Sequence, residues 1–124
     1  MFGEKIQKIL VLALGLCLAG VQPLEAEATD AHIAQLQEMH AKAEKLIAVN
    51  DFEEAIQIYE NIILLEPDDE VAYTNMGHAN LLLGNIGEAE DNFLNALHIN
   101  PDNEAAYLGL QRIQDPDAPL PSED

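Results

Sequence analysis

Glu66-Pro67-Asp68-Asp69-Glu70-Val71-Ala72-Tyr73 returns along the chain as Asn100-Pro101-Asp102-Asn103-Glu104-Ala105-Ala106-Tyr107, an offset of 34 residues. The same offset pairs Glu54 with Glu88, Ala55 with Ala89, and the aromatics Tyr59 and Phe93. A proline, two small residues and two aromatics matching at one spacing mark an internal repeat, and a period in this range belongs to stacked architectures.

The residues between the two copies say what one repeat is. From Glu70 to Leu83, Tyr73, Met76, Gly77 and Asn80 recur every three or four positions, the spacing of one helix face. Gly84-Asn85 ends that helix, because both residues accept the left-handed backbone that follows a helix C-terminus. From Ile86 to Ile99, Ala89, Phe93, Ala96 and Leu97 form a second stripe, and Pro101 stops it. Asp68 or Asp69, and Asp102 or Asn103, are placed to cap the helices that follow. The unit is therefore two antiparallel helices and two short turns.

These residues resemble the tetratricopeptide repeat. Its pattern has a large residue at position 4, Gly or Ala at 8, Ala at 20, an aromatic at 24, Ala at 27 and Pro at 32. Residues 70–103 match it with Tyr73, Gly77, Ala89, Phe93, Ala96 and Pro101, and residues 36–69 with Met39, Ala43, Ala55, Tyr59 and Pro67. Residues 104–114 match only the start of a third unit, through Tyr107. Two positions depart from the pattern: Lys42 stands where an apolar residue is usual, and Ile62 replaces a small one. The resemblance implies an all-α, antiparallel helix-pair solenoid of two repeats plus a C-terminal capping helix. Such units bury their apolar faces only by stacking, so the last helix is the exposed end. On it, Tyr107 and Leu110 are expected to face inward, leaving Leu108 and Ile113 uncovered.

The N-terminus reads differently. Lys5 and Lys8 lie in a short polar start, Ile9 to Val21 carries no charge, Pro23 should break any helix, and Ala26-Glu27-Ala28 has small residues at alternate positions. That order describes a secretory signal peptide over residues 1–28, cleaved before Thr29; the alternative is an uncleaved signal anchor. The apolar run is shorter than the roughly 20 residues that span a bilayer. The lone Cys17 lies inside it and has Leu16 rather than a small residue before it, which argues against a lipoprotein signal. A mature chain without cysteine suits a periplasmic or extracellular compartment and needs no disulfide. Residues 29–35 then extend the first helix, and residues 115–124, acidic and rich in proline, are expected to form a disordered tail.

The chain has 23 acidic and five basic residues, a formal net charge of -18. Only Glu4, Glu25 and Glu27 and Lys5 and Lys8 belong to the leader, so the acidity belongs to the repeats. Such a chain is repelled by nucleic acid and by anionic lipid. No nucleophile arrangement, phosphate loop or H-E-x-x-H pattern occurs, and the residues after the leader hold no Cys and a single Ser, Ser122. The acidic turn Glu66-Pro67-Asp68-Asp69-Glu70 lacks the alternating ligands and glycine of an EF-hand loop and reads as helix capping. His32, His40, His78 and His98 include no i,i+4 pair on one helix. No enzyme activity, metal or cofactor is expected.

The resemblance implies instead a module that binds a peptide or partner domain along its concave surface, lined by positions 2, 5, 9, 12 and 13. In this sequence these are Gln37, His40, Glu44, Ile47 and Ala48; Val71, Thr74, His78, Leu81 and Leu82; and Ala105, Leu108 and Arg112. Some family members grip a C-terminal carboxylate with several Lys, Arg and Asn residues; here only Asn75 and Arg112 could take such parts, so that function is not implied. The expected groove is mixed and partly aliphatic, with most carboxylates elsewhere. A second expectation is self-association through the uncovered terminal helix.

Overall fold

The computed structural model describes residues 22–119, with side chains from residue 29. The apolar run and basic start of the leader lie outside the described residues. Five helices follow one another: α1 (Gln22–Ala48), α2 (Phe52–Leu65), α3 (Glu70–Leu83), α4 (Ile86–Ile99) and α5 (Glu104–Gln114). No strand occurs among the described residues. The chain divides into two units, Met1–Leu36 and Gln37–Asp124, and the packing below concerns the second.

Helix α1 corrects one expectation. Pro23 does not break it but sits in its first turn, where the absent N–H has no intrahelical partner to lose. The helix then runs unbroken through Ala28 and Thr29.

The turns obey the 34-residue period. Asn50 is left-handed, with φ 62°; the Asp51 N–H reaches the Leu46 carbonyl at 2.9 Å and the Asn50 N–H that of Ile47 at 3.0 Å. Gly84, 34 residues on, is left-handed with φ 83°, and Asn85 and Gly84 repeat those two bonds to Asn80 and Leu81 at 2.9 and 3.1 Å. Paired bonds of this kind satisfy the carbonyls a helix end leaves open. Asn takes the first such site because its short polar side chain tolerates the left-handed region.

The caps are settled as well. Asp69 Oδ1 accepts from the Ala72 N–H at 2.9 Å, and Asn103 Oδ1 accepts from the Ala106 N–H at 2.9 Å. Each cap also ties its repeat to the one before. His40 Nε2 donates to Asp69 Oδ2 at 2.7 Å, and Asn103 Nδ2 donates to Thr74 Oγ1 at 2.9 Å. His40 and Thr74 occupy one repeat position, and Asp69 and Asn103 another, so one latch is built twice from different chemistry. Glu70 strengthens the second copy, accepting from Asn100 and Asn103, each at 2.9 Å.

The small residues let the helices close on two rings. Tyr59 and Phe93 are fully buried, as are Ala43, Ala55, Ala89, Ala96 and Ala106. Ile62, which departs from the family pattern, is fully buried too, while Lys42 is exposed. Around Phe93 gather Tyr73, Leu81, Leu97, Leu110 and Ile113. A Cβ placed on Gly77 would lie 2.7 Å from Phe93 Cε1, and one on Gly109 would lie 2.6 Å from the same atom. Phe93 thus joins α3, α4 and α5, and only bare helix backbone admits it on two sides.

The exposed end differs from expectation. Tyr107 is 61% exposed rather than inward, and Ile113 packs against the Phe93 cluster rather than standing uncovered. Tyr73, its counterpart one repeat earlier, packs against the cluster formed by α4 and α5, whereas no described helix packs over Tyr107. Past α5, Ala118 N–H bonds the Asp115 carbonyl at 3.1 Å, so a turn follows where an unstructured tail was expected from residue 115. Residues 120–124 lie outside the described residues.

The glycine contacts give a sign test. Gly→Ala inside a helix ordinarily stabilises by about 0.5–1 kcal/mol, whereas forced overpacking costs about 1–3 kcal/mol. Gly77→Ala and Gly109→Ala should therefore each lower Tm in thermal unfolding. Gly87→Ala, where a Cβ would meet nothing within 4 Å, should hold or raise it.

Candidate functional site

The face that could receive a partner is built by α1, α2 and α3. A cavity of about 170 Å³ opens there, lined by Glu44, Ile47, Tyr59, Asn75, His78, Ala79 and Leu82. Helix periodicity explains the grouping. On α3, His78 and Ala79 lie three and four residues after Asn75 and four and three before Leu82, and on α1 Glu44 and Ile47 are three apart. Tyr59 comes from α2 beneath them.

Ile47 and Leu82 supply aliphatic walls, and Leu82 is 64% exposed. The Tyr59 hydroxyl is buried and has no hydrogen-bond partner among the described residues. Burial pushes the hydroxyl pKa above 10.0, the nearby Asn75 side chain pulls it back, and the charges of Glu44 and Asp69 add smaller upward pushes. A buried polar group left unpaired ordinarily costs about 1–3 kcal/mol, so its retention at a cavity needs a reason.

His78 bridges cavity and core. Its ring stands edge-on to Phe93, with centroids 5.0 Å apart. Loss of water around that ring lowers its pKa below the ordinary 6.5. His40 lies on the other side of Tyr59, ring centroids 6.0 Å apart. Because a carboxylate only accepts, the His40 proton toward Asp69 is on Nε2, and Nδ1 is left buried without a partner.

The structure brings Glu44, Ile47, Asn75, His78 and Leu82 of the anticipated groove residues around one cavity. Three others are committed elsewhere. Thr74 is buried, donating to the Glu70 carbonyl at 2.8 Å and accepting from Asn103. Leu81 packs on the Phe93 cluster. His40 belongs to the latch with Asp69. Repeat position 5 is recruited by the spare polar atom of the following cap, which no single-helix pattern reveals. Val71 is exposed, while Leu108 and Arg112 are half-buried, and none of these lines the cavity. Tyr59, expected only as the repeat's aromatic, and Ala79, which no pattern singled out, also line it.

Among the described residues, no three His, Cys, Asp or Glu side chains gather as a metal cage. No helix among them is long and apolar enough to cross a membrane.

Comparison with known proteins agrees with this geometry. The tetratricopeptide repeat family profile matches residues 46–113, more than half of the chain. The chain belongs to the tetratricopeptide repeat family, whose repeats generally mediate protein–protein interaction and are typically not enzymes. It is also similar to the heat shock protein STI1 of Saccharomyces cerevisiae, 30% identical over 66 residues. That match covers 53% of this chain and 11% of the yeast protein.

The His78 environment carries a pH signature. Its neutral form is favoured in the folded state, so the unfolded chain binds more protons below 6.5 and stability falls as pH falls through that value. The His78 ring resonances should titrate below 6.5 by NMR. His78→Gln should lose less Tm than the unsubstituted chain over the same acidification.

Proposed function

We propose that this chain is an exported, non-catalytic scaffold or assembly factor that holds a peptide or partner domain against the α1–α3 face. The observation that carries this reading is the cavity with Leu82 and Ile47 at its walls and an unpaired Tyr59 hydroxyl beneath them. Cavities that bind combine apolar walls with a few convergent polar groups. Export rests on the sequence of residues 1–28, with the periplasm or exterior as destination and membrane anchoring by an uncleaved signal as the alternative.

A second reading is self-association. Tyr107, 61% exposed, offers an aromatic ring at the end of the stack where its counterpart Tyr73 is packed. A second copy could cover it.

One experiment separates these readings. The full chain is produced in a bacterium with a C-terminal tag, beside an untagged copy, and recovered from the periplasmic fraction. Its intact mass should begin at Thr29. Leu82→Glu, a change at an exposed site, should lower partner recovery at least tenfold. Equal recovery by both chains contradicts the groove reading. Recovery of the untagged copy alone marks self-association, and a full-length soluble product contradicts export.

A further inference from the structure

We propose that the α1–α3 cavity is specific for a lysine side chain presented by the partner segment. This rests on the groove reading above and adds the chemistry that the groove selects.

The cavity has the layout a lysine needs. Ile47, Leu82 and Ala79 supply an aliphatic sleeve. Three residues with oxygen acceptors share that lining: Glu44, exposed at the rim, Asn75, half-buried, and Tyr59, buried at the base. A lysine carries a flexible four-carbon stem ending in a compact ammonium with three donors and no acceptor. Stem and sleeve match, and so do three donors and three acceptors. The Tyr59 hydroxyl, which has no hydrogen-bond partner among the described residues, gains one.

Charge selects in the same direction. Glu44 is the one carboxylate in the lining, and no Lys or Arg is among the lining residues. Glu44 and Asp69 both act on the Tyr59 hydroxyl to disfavour a negative charge there. His78 does not oppose this, because partial loss of water around its ring lowers its pKa below the ordinary 6.5. A carboxylate entering this site meets the Glu44 charge and finds no Lys or Arg to pair with, so the lining favours a cation over an anion. Arginine fits less well, since its planar fork wants a paired acceptor such as a carboxylate in plane, whereas these acceptors come from three helices. The surrounding chain, with 23 acids to five bases, would also draw a basic segment toward the face.

The test uses NMR on the purified chain with acetylated and amidated pentapeptides, Ala-Ala-X-Ala-Ala, where X is lysine, norleucine, arginine or glutamate. Norleucine keeps the stem and removes the charge. The lysine peptide should shift the Asn75 side-chain amide and the Ile47 and Leu82 methyl resonances, and bind at least tenfold more tightly than the norleucine peptide. Glu44→Gln should erase that difference, while Glu88→Gln, at an exposed site away from the cavity, should leave it intact. Tyr59→Phe should weaken the lysine peptide severalfold and keep or raise Tm, since the hydroxyl it removes has no hydrogen-bond partner among the described residues. Equal binding of lysine and norleucine overturns the inference and leaves the apolar groove standing. Shifts spread over the surface and indifferent to Glu44→Gln overturn it as well, as general attraction to an acidic chain. If no peptide binds, the lysine inference falls, and the Leu82→Glu pull-down decides whether the groove reading falls with it.

Discussion

The Phe93 ring, seated between the bare backbones of Gly77 and Gly109, is the contact on which the rest of this structure depends. Burying such a ring contributes about 1.5–3 kcal/mol from apolar area alone. Its placement matters more than that figure. It belongs to α4, yet touches α3 through Gly77 and α5 through Gly109, so three helices share one packing element. His78 leans on the same ring from the cavity side. The core that holds the stack together thereby also touches the lining of the α1–α3 cavity.

A second layer of order comes from the turns. Asp69 and Asn103 each divide their polar atoms between a helix cap and a side chain one repeat earlier. Register between repeats is thus fixed by hydrogen bonds at the edge, and distance between helices by alanines and glycines at the centre. On α5 the same repeat position, Tyr107, is exposed, while Tyr73 one repeat earlier is packed.

Much of this was legible in the sequence. Pro67 and Pro101, with the alanines and aromatics between them, specify the period, the helices and the buried faces, because each needs only local geometry and residue size. Glu44, Ile47, Asn75, His78 and Leu82 could be placed on one face for the same reason. Thr74, Leu81 and His40 could not be withheld from it, since what claims them is a residue about thirty positions away or a neighbouring core. Asn50 escaped notice because one asparagine in a left-handed turn looks like any polar loop residue, although its offset from Gly84 is the repeat itself. Gly109 gave no signal, as the family pattern places no small residue there and only the position of Phe93 requires one.

The central claim is that Phe93 makes the last three helices one cooperative body rather than a repeat with a loose end. Native-state hydrogen exchange tests it most directly, by comparing amides of Ala79 in α3, Phe93 in α4 and Leu110 in α5 across low denaturant. Contiguous elements that open together share one opening free energy. A common free energy and a common denaturant slope for the three amides is the result this structure predicts. Exchange of Leu110 through a separate, lower opening, while Ala79 and Phe93 stay protected, would contradict it.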